Sequence, residues 1–233
     1  ISLTKADLRP DRAVMGRLLK IGVPVALQDG FIQISFMVIT IIANRRGLTD
    51  VAAVGIVEKM MRFLFLVPSS MLSTVSALGA QNIGAGKPKR ARATLGCAIA
   101  ITLGFCSLVV ILVGPLAEPM VRLFTPDEAV VLAGGQCLCG YIWDCFFAGV
   151  QFSFSGYFCA IGRSGLSFPH TTLSILLVRI PGAYLASRLF PTPLLPMGLA
   201  NAVGSLFSIL VCLIAYGALL HGERRGHGAL SDR

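Results

Sequence analysis

The sequence predicts an all-α, polytopic membrane protein, a bundle of six transmembrane helices. Hydrophobic residues make up 55% of the chain and charged residues only 13%, a composition outside the usual range of soluble domains. Six apolar runs are long enough to cross a hydrocarbon core, which requires roughly 20 residues of helix. Backbone groups cannot stay unpaired in lipid, and no segment alternates like an outer-membrane strand, so the spans should be helical.

The predicted spans divide the chain into three parts. We expect residues 1–20 to form a cytoplasmic linker with an interfacial helix, residues 21–221 the bundle, and residues 222–233 a cytoplasmic tail. Because the chain begins at Ile1 rather than Met, and with a linker, we expect a fragment. The six spans are predicted at residues 21–43, 51–78, 93–117, 129–161, 165–186 and 193–220.

The distribution of cations predicts which ends of the spans face the cytoplasm. Of the 20 Lys and Arg residues, thirteen fall in the two terminal segments, in the turn at residues 87–92 and at Arg163. By the positive-inside rule these regions, and both termini of the segment, are cytoplasmic. The pair Arg45 and Arg46 lies on the other side, against this trend. The net charge of +9 is therefore mostly a topology signal with some attraction to membrane lipids, and nucleic acid is not an expected partner.

The stretch from Ser76 to Arg92, SALGAQNIGAGKPKRAR, ends the second span at glycines and leads into a cluster of cations. Part of it is superficially similar to a phosphate-binding loop. The pattern G-x-x-x-x-G-K-[ST] would require Gly at 81 and Ser or Thr at 88, where the chain has Gln81 and Pro88. We therefore predict a turn anchored at lipid headgroups and no nucleotide site.

The first two spans carry charged residues within the membrane. The first has Gln28 and Asp29 about two turns in, and the second has Glu58, Lys59 and Arg62. Glu58 and Arg62 are four residues apart and share a helix face. They form either a local ion pair near the outer surface, with Lys59 snorkelling, or part of a translocation path.

Two prolines predict kinks. Pro68, followed by Ser69 and Ser70, should bend the second span, and the freed carbonyl can be met by serine hydroxyls or by a neighbouring helix. Pro181 predicts a second kink, in the fifth span, beside Arg179. Arg179 either acts in transport or binds backbone carbonyls. Kinked helices are candidate moving parts.

Small residues predict close helix packing in the third and sixth spans. Gly96, Ala100 and Gly104 are spaced four apart and form a ridge that would let another helix approach. The sixth span has a comparable set of small and polar residues: Gly198, Asn201, Gly204, Ser205 and Ser208.

Asp144 is predicted to be the main functional carboxylate. It lies near the midpoint of the fourth span, with Tyr141, Trp143 and Gln151 placed to line a cavity. An intramembrane carboxylate is costly and usually faces a cavity or a partner, so a functional role is favoured over a structural one. Such a group can exchange H⁺ or hold Na⁺.

Enzyme chemistry has no visible basis in the sequence. The seven cysteines all fall within predicted spans, and their odd number and spacing favour packing over disulfides or a metal site. His170, His221 and His227 are scattered, and no nucleophile and base pair can be assembled. We expect no enzyme activity and no cofactor.

Three motifs carry a family resemblance: K-I-G-V-P-V-A-L-Q-D in the first span, S-A-L-G-A-Q-N-I-G-A-G-K-P-K-R-A after the second, and R-I-P-G-A-Y in the fifth. Together they resemble the C-terminal half of a multidrug and toxic compound extrusion (MATE) transporter. V-E-K at 57–59, L-V-P-S-S at 66–70 and M-G-L-A at 197–200 resemble a branch common among anaerobic Gram-positive bacteria. The resemblance covers residues 20–221.

The resemblance implies a twelve-helix antiporter of the bacterial plasma membrane. It would expel small cationic or amphipathic compounds in exchange for Na⁺ or H⁺, and this chain would be its second six-helix bundle, with an N-terminal half as partner. Such families use acidic residues on the first and fourth helices of this bundle, which here carry Asp29 and Asp144. The expected ion and substrate ligands are Asp144, Asp29, Gln28, Glu58 and Arg179, with Tyr141, Trp143, Gln151, Lys59 and Arg62 lining the cavity. No metal is expected beyond Na⁺ at Asp144 or Asp29.

Two alternatives stay open. A flippase of the same superfamily, moving a lipid-linked saccharide, should have a more cationic cavity, for which Arg179, Lys59 and Arg62 are the only candidates. A non-transporting membrane scaffold would have no need of Asp144.

Overall fold

The computed structural model describes residues 12–231, with side chains at residues 12, 14–16 and 18–221. Residues 1–11 of the predicted linker lie outside the described part. Within that part the chain is helical and has no strand, as the sequence predicts. Its helices are α1 (Arg12–Asn44), α2 (Leu48–Leu64), α3 (Leu66–Gly84), α4 (Pro88–Val113), α5 (Ala117–Arg122), α6 (Glu128–Ala160), α7 (Ser167–Ser174), α8 (Ile180–Leu189) and α9 (Leu195–Ser231).

The helices match the predicted spans closely. Across the described residues α1, α4, α6 and α9 are long and apolar enough to cross a membrane, and α2 with α3 makes a fifth span if the bent pair is counted as one. The fifth predicted span, residues 165–186, is built from consecutive shorter pieces: a 3₁₀ turn at Ser164–Leu166, then α7, a π-helical turn at Ile175–Arg179, and α8. The composition therefore predicts the positions of the spans but misses the interruptions of this one.

The first helix begins earlier than the predicted first span. α1 runs without a break from Arg12, so residues 12–20 continue the helix and are not a separate interfacial one. Pro24 consequently lies inside α1.

The kink predicted at Pro68 is present as a 40° bend between α2 and α3, at Phe65. Proline has no N–H, so the carbonyl of Leu64, four residues earlier, loses its helical partner. The thiol of Cys145 on α6 lies 3.6 Å from that oxygen and donates to it. Ser69 and Ser70 instead donate to Leu66 and Val67, so it is the neighbouring helix that meets the freed carbonyl.

The second proline defect is a π-helical turn. Pro181 lies in the first turn of α8, directly after Ile175–Arg179, and the N–H of Ile180 donates to the carbonyl of Ile175, five residues back. A π turn inserts one extra residue and so absorbs the hydrogen bond that proline cannot donate. The predicted kink in this span is therefore a local widening of the helix that includes Arg179.

The central helix is α6, against which α2, α3, α4, α5 and α9 pack. In the most apolar stretch of α6, 61% of the residues are buried, whereas the corresponding share is 17–28% in α1, α4 and α9. α9 approaches α6 closely where Gly140 and Gly198 face each other: a Cβ built on Gly198 would lie 2.6 Å from the carbonyl oxygen of Cys137. The predicted ridge at Gly96, Ala100 and Gly104 is exposed, and a Cβ on either glycine meets nothing within 4 Å. The predicted close approach is therefore found at Gly198 of the sixth span and not at the predicted ridge of the third.

This packing predicts opposite effects for two sets of glycines. Gly140→Ala and Gly198→Ala should each lower the free energy of unfolding by about 1–3 kcal/mol, because the added methyl group overlaps a backbone that cannot withdraw. Gly96→Ala and Gly104→Ala are the matched controls and should be neutral or stabilising by up to about 1 kcal/mol, from helix propensity. Thermal unfolding of the purified full-length protein in detergent measures this, and equal effects in the two sets would contradict the packing described.

Candidate functional site

A cavity of about 270 Å³ opens between α1, α2, α6 and the segment formed by α7 and the π turn. We call it the central cavity. Three phenylalanines, Phe36, Phe65 and Phe152, supply much of its apolar wall, and the rings of Phe65 and Phe152 contact each other edge to face with 6.4 Å between centroids. Its polar wall is supplied by Asp29, Gln33, Glu58, Arg62, Gln151, Thr171, Ser174 and Arg179.

Four charged side chains from three elements meet in this cavity. Asp29 comes from α1, Glu58 and Arg62 from α2, and Arg179 from the π turn. Among the described residues Glu58 and Arg62 are not joined as an ion pair. Instead, the hydroxyl of Thr40 on α1 lies 3.0 Å from Oε1 of Glu58 and donates to it. Glu58 and Arg62 both lie on the cavity wall, and their part in a translocation path stays a prediction.

Behind the cavity wall Arg179 forms a buried ion pair with Asp144. Nη2 of Arg179 lies 2.8 Å from Oδ1 of Asp144, and the two side chains are 8% and 1% exposed. Ser205 on α9 accepts a hydrogen bond from Nη2 of Arg179 at 2.6 Å and donates to the same carboxylate oxygen. Among the described residues Arg179 is therefore bound by a carboxylate and a hydroxyl and by no backbone carbonyl.

A glycine on α9 makes room for the side chain of Arg179. A Cβ on Gly204 would overlap Cγ of Arg179, so glycine leaves the space that the arginine stem occupies. The hydroxyl of Ser174 donates to the carbonyl of Gly204 at 2.5 Å, which holds α7 against α9 beside the ion pair. Of the two oxygens of Asp144, Oδ2 is buried without a hydrogen-bond partner among the described residues.

Several residues expected in the cavity lie elsewhere. Asp144 and Tyr141 are fully buried against the inner helices, and Trp143 is on the outward face of α6, 45% exposed. Lys59 is exposed on α2 and does not line the cavity. Gln28 is buried, and its amide has no hydrogen-bond partner within the described part of the chain. Neighbouring positions on one helix point in different directions, so depth in a span does not place a side chain in the cavity.

The structure contains a polar network, centred on His170, that the sequence did not predict. Nε2 of the buried imidazole lies 3.1 Å from the hydroxyl of Ser155 on α6, and Nδ1 lies 2.7 Å from that of Ser208 on α9. Thr171 links the network to the central cavity by accepting a hydrogen bond from Gln151 at 3.2 Å. The high density of Ser, Thr and His at 164–174 was the available signal, but only the structure brings it to the serines of α6 and α9.

The described residues offer no group of metal ligands and no disulfide. Across the described residues no three His, Cys, Asp or Glu side chains converge as metal ligands. All seven cysteines are free, and the nearest thiols, of Cys106 and Cys145, are 3.7 Å apart. The thiols serve packing and, at Cys145, the proline bend.

The fold and the site together define a polytopic membrane protein: long apolar helices around one central helix, with charged groups gathered in an intramembrane cavity. The MatE family model matches residues 24–185, about two thirds of the chain. The chain belongs to the MatE family.

Relatives and solved structures agree with this assignment. The chain is 30% identical over 122 residues to the multidrug resistance protein PmpM of Pseudomonas aeruginosa, and 34% identical over 122 residues to the probable multidrug resistance protein NorM of Aromatoleum aromaticum. Each alignment covers 52% of the chain and 26% of the relative. A crystal structure of a MATE protein in complex with MaL6 superposes with a TM-score of 0.85 at 17% identity, over 96% of this chain and 51% of that one. The chain therefore has the fold of MATE proteins and spans about half the length of that structure.

The buried ion pair predicts strong energetic coupling between Asp144 and Arg179. Asp144→Asn and Arg179→Gln should each lower the free energy of unfolding by about 3–5 kcal/mol, because each leaves an uncompensated buried charge. The double variant should be less destabilised than the sum of the two. The matched control is the pair Arg122 and Glu128, which lies 2.7 Å apart and is exposed.

A double-mutant cycle measured by unfolding of the full-length protein tests this. The exposed pair should show a coupling of no more than about 1 kcal/mol. Additive effects at Asp144 and Arg179 would show that the two charges do not depend on each other.

Proposed function

We propose that this chain is one half of a MATE-type efflux transporter that exports cationic or amphipathic compounds in exchange for Na⁺ or H⁺. The observation that carries the proposal is the pair of carboxylates, Asp29 and Glu58, on the wall of the central cavity. Membership of the MatE family and the multidrug resistance named for two relatives support it.

The cavity chemistry suits an amphipathic cation. The ammonium or ring nitrogen of such a compound would be attracted to Asp29 and Glu58, since charges are strongly felt where water is scarce. The aromatic walls provided by Phe36, Phe65 and Phe152 would bury its apolar part.

The ion pair suggests how the coupling ion acts. In this conformation the guanidinium of Arg179 occupies the cation position at Asp144. Na⁺ or H⁺ would compete with Arg179 for that carboxylate, and its binding would release Arg179 toward the cavity wall that it also lines. Under this proposal Asp144 is an ion-coupling residue, although it does not face the cavity here.

The complete transporter would contain a second, N-terminal six-helix half. Repeat-built transporters place their sites between or within two bundles that move against each other, and the chain covers about half of the solved MATE structure. We propose the bacterial plasma membrane as its location, with the basic turn at residues 87–92 and both termini of this segment cytoplasmic.

The cavity also bears on the flippase alternative. A phosphate-bearing saccharide carrier would require an excess of cations, and of its three candidates Lys59 is outside the cavity. Arg62 and Arg179 are matched there by Asp29 and Glu58, so the cavity has no cationic excess. Efflux of a cation is the better supported function.

Neutralising the cavity carboxylates should abolish most of the transport. Glu58→Gln or Asp29→Asn in the full-length protein should reduce efflux of ethidium from cells by about tenfold or more, because each removes a charge-assisted contact to the cation. Lys59→Gln, next to Glu58 but outside the cavity, is the control and should transport normally. Wild-type efflux by both carboxylate variants at equal membrane abundance would refute the proposed cation site and favour a scaffold.

The chain by itself should not transport. Alternating access requires a second bundle, so vesicles containing only residues 1–233 should show no ethidium exchange driven by a Na⁺ or pH gradient. Vesicles with the full-length protein are the positive control. Gradient-driven exchange by the isolated chain at the full-length rate would contradict the two-half arrangement.

A further inference from the structure

A second pocket, also of about 270 Å³, opens at the end of the bundle where α1 and α8 finish. We call it the outer pocket, and it shares no lining residue with the central cavity. It is lined by Ile42, Arg45, Arg46, Tyr184, Ser187 and Arg188. We propose that the outer pocket binds the phosphodiester of an anionic phospholipid headgroup, with Arg45 and Arg188 as ligands.

Arg46 builds the wall of the pocket, and three of its five N–H groups already have protein partners. Its Nε lies 2.6 Å from Oδ2 of Asp50, and its two terminal nitrogens donate to the carbonyls of Phe190 and Pro191 at 3.0 and 2.8 Å. These bonds fix the connection after α8 against the end of α1. One side of the outer pocket is therefore rigid.

Arg45 and Arg188 are the uncommitted cations. Both are exposed, and within the described part of the chain neither has a carboxylate partner. Nε of Arg188 donates to the hydroxyl of Tyr184 at 3.2 Å, and its guanidinium carbon lies 5.4 Å from the centre of that ring. This stacking orients the guanidinium while leaving its terminal N–H groups available.

Helix electrostatics alone do not account for this arrangement. Arg45 follows the last residue of α1 and Arg188 lies in the last turn of α8, positions where the helix dipole favours a cation. Two arginines at separate places on the surface would interact with the helix dipoles equally well. It does not explain why the pair converges on one pocket with the hydroxyl of Ser187.

The residues around the outer pocket favour the phosphate of a lipid as its ligand. Guanidinium groups match phosphate oxygens in a planar, two-pronged geometry, and Tyr is favoured at the membrane interface. Leu185 and Leu189, next to these residues on α8, are 56% and 63% exposed and offer an apolar surface for an acyl chain. The pocket thus combines a phosphate site with a lipid-facing flank, at the end of the bundle that carries Arg45 and Arg46 against the overall charge trend.

The test is native mass spectrometry of the full-length protein in detergent, titrated with phosphatidylglycerol or phosphatidylcholine. The wild-type protein should bind phosphatidylglycerol more tightly than phosphatidylcholine. The double variant Arg45→Gln with Arg188→Gln should bind phosphatidylglycerol about tenfold more weakly, with a smaller loss for phosphatidylcholine, whose choline cation offsets the charge of its phosphodiester. Arg122→Gln, an arginine at the same end that already pairs with Glu128, is the control and should bind as wild type.

Three outcomes would overturn the proposal. An equal loss of phosphatidylglycerol affinity in Arg122→Gln, or equal affinity of wild type for both lipids, would indicate non-specific attraction. The third is binding of inorganic phosphate, with the same dependence on Arg45 and Arg188, as tightly as phosphatidylglycerol. That result would assign the pocket to a free anion. Thermal unfolding of each variant confirms that the compared proteins are folded.

Discussion

The buried ion pair between Asp144 and Arg179 is the interaction on which the arrangement of the inner helices depends. It joins α6, the π turn and α9, and Ser205 contacts both partners. Burying two charges is favourable only when each finds its counterion and further hydrogen bonds, which constrains how the three elements can sit. Gly204 satisfies this constraint on α9 by leaving room for the arginine stem. We therefore expect the ion pair to specify how these three elements pack, in addition to being a candidate ion site.

Both proline defects lie at the central cavity. Phe65, at the bend between α2 and α3, lines it, and so do Ile175 and Arg179 at the two ends of the π turn. Regular helices pack side by side along their length, whereas a bend or a widened turn moves part of a helix away from its neighbour. The thiol of Cys145 on the carbonyl of Leu64 shows that the defect is stabilised by the central helix and not only tolerated. The cavity is thus a consequence of where the two prolines fall.

The sequence predicted the spans, the charged residues within them and the bend at Pro68, because length, hydropathy and proline each act locally. At Pro181 it predicted a kink where the structure has a π turn. The sequence did not predict how each helix is rotated about its own axis, that is, which of its faces is turned inward. In a soluble protein the polar face marks the outside, but in lipid both faces are apolar, so the sequence did not show that Trp143 faces outward or that the ridge at Gly96 is exposed. The network of His170 with Ser155 and Ser208 was missed for a related reason, since three separate helices contribute to it. Such contacts depend on tertiary packing, which no local pattern specifies.

The charges around the cavity give the proposed exchange a physical logic. Two arginines, Arg62 and Arg179, face three carboxylates, those of Asp29, Glu58 and the buried Asp144, so the group has a net negative charge when all are ionised. This favours a cationic compound at Asp29 and Glu58. A proton or Na⁺ bound at Asp144 would cancel that excess and free Arg179, whose charge would then oppose the compound at the cavity wall. The ion and the compound would therefore exclude each other without sharing a site, as an antiporter requires.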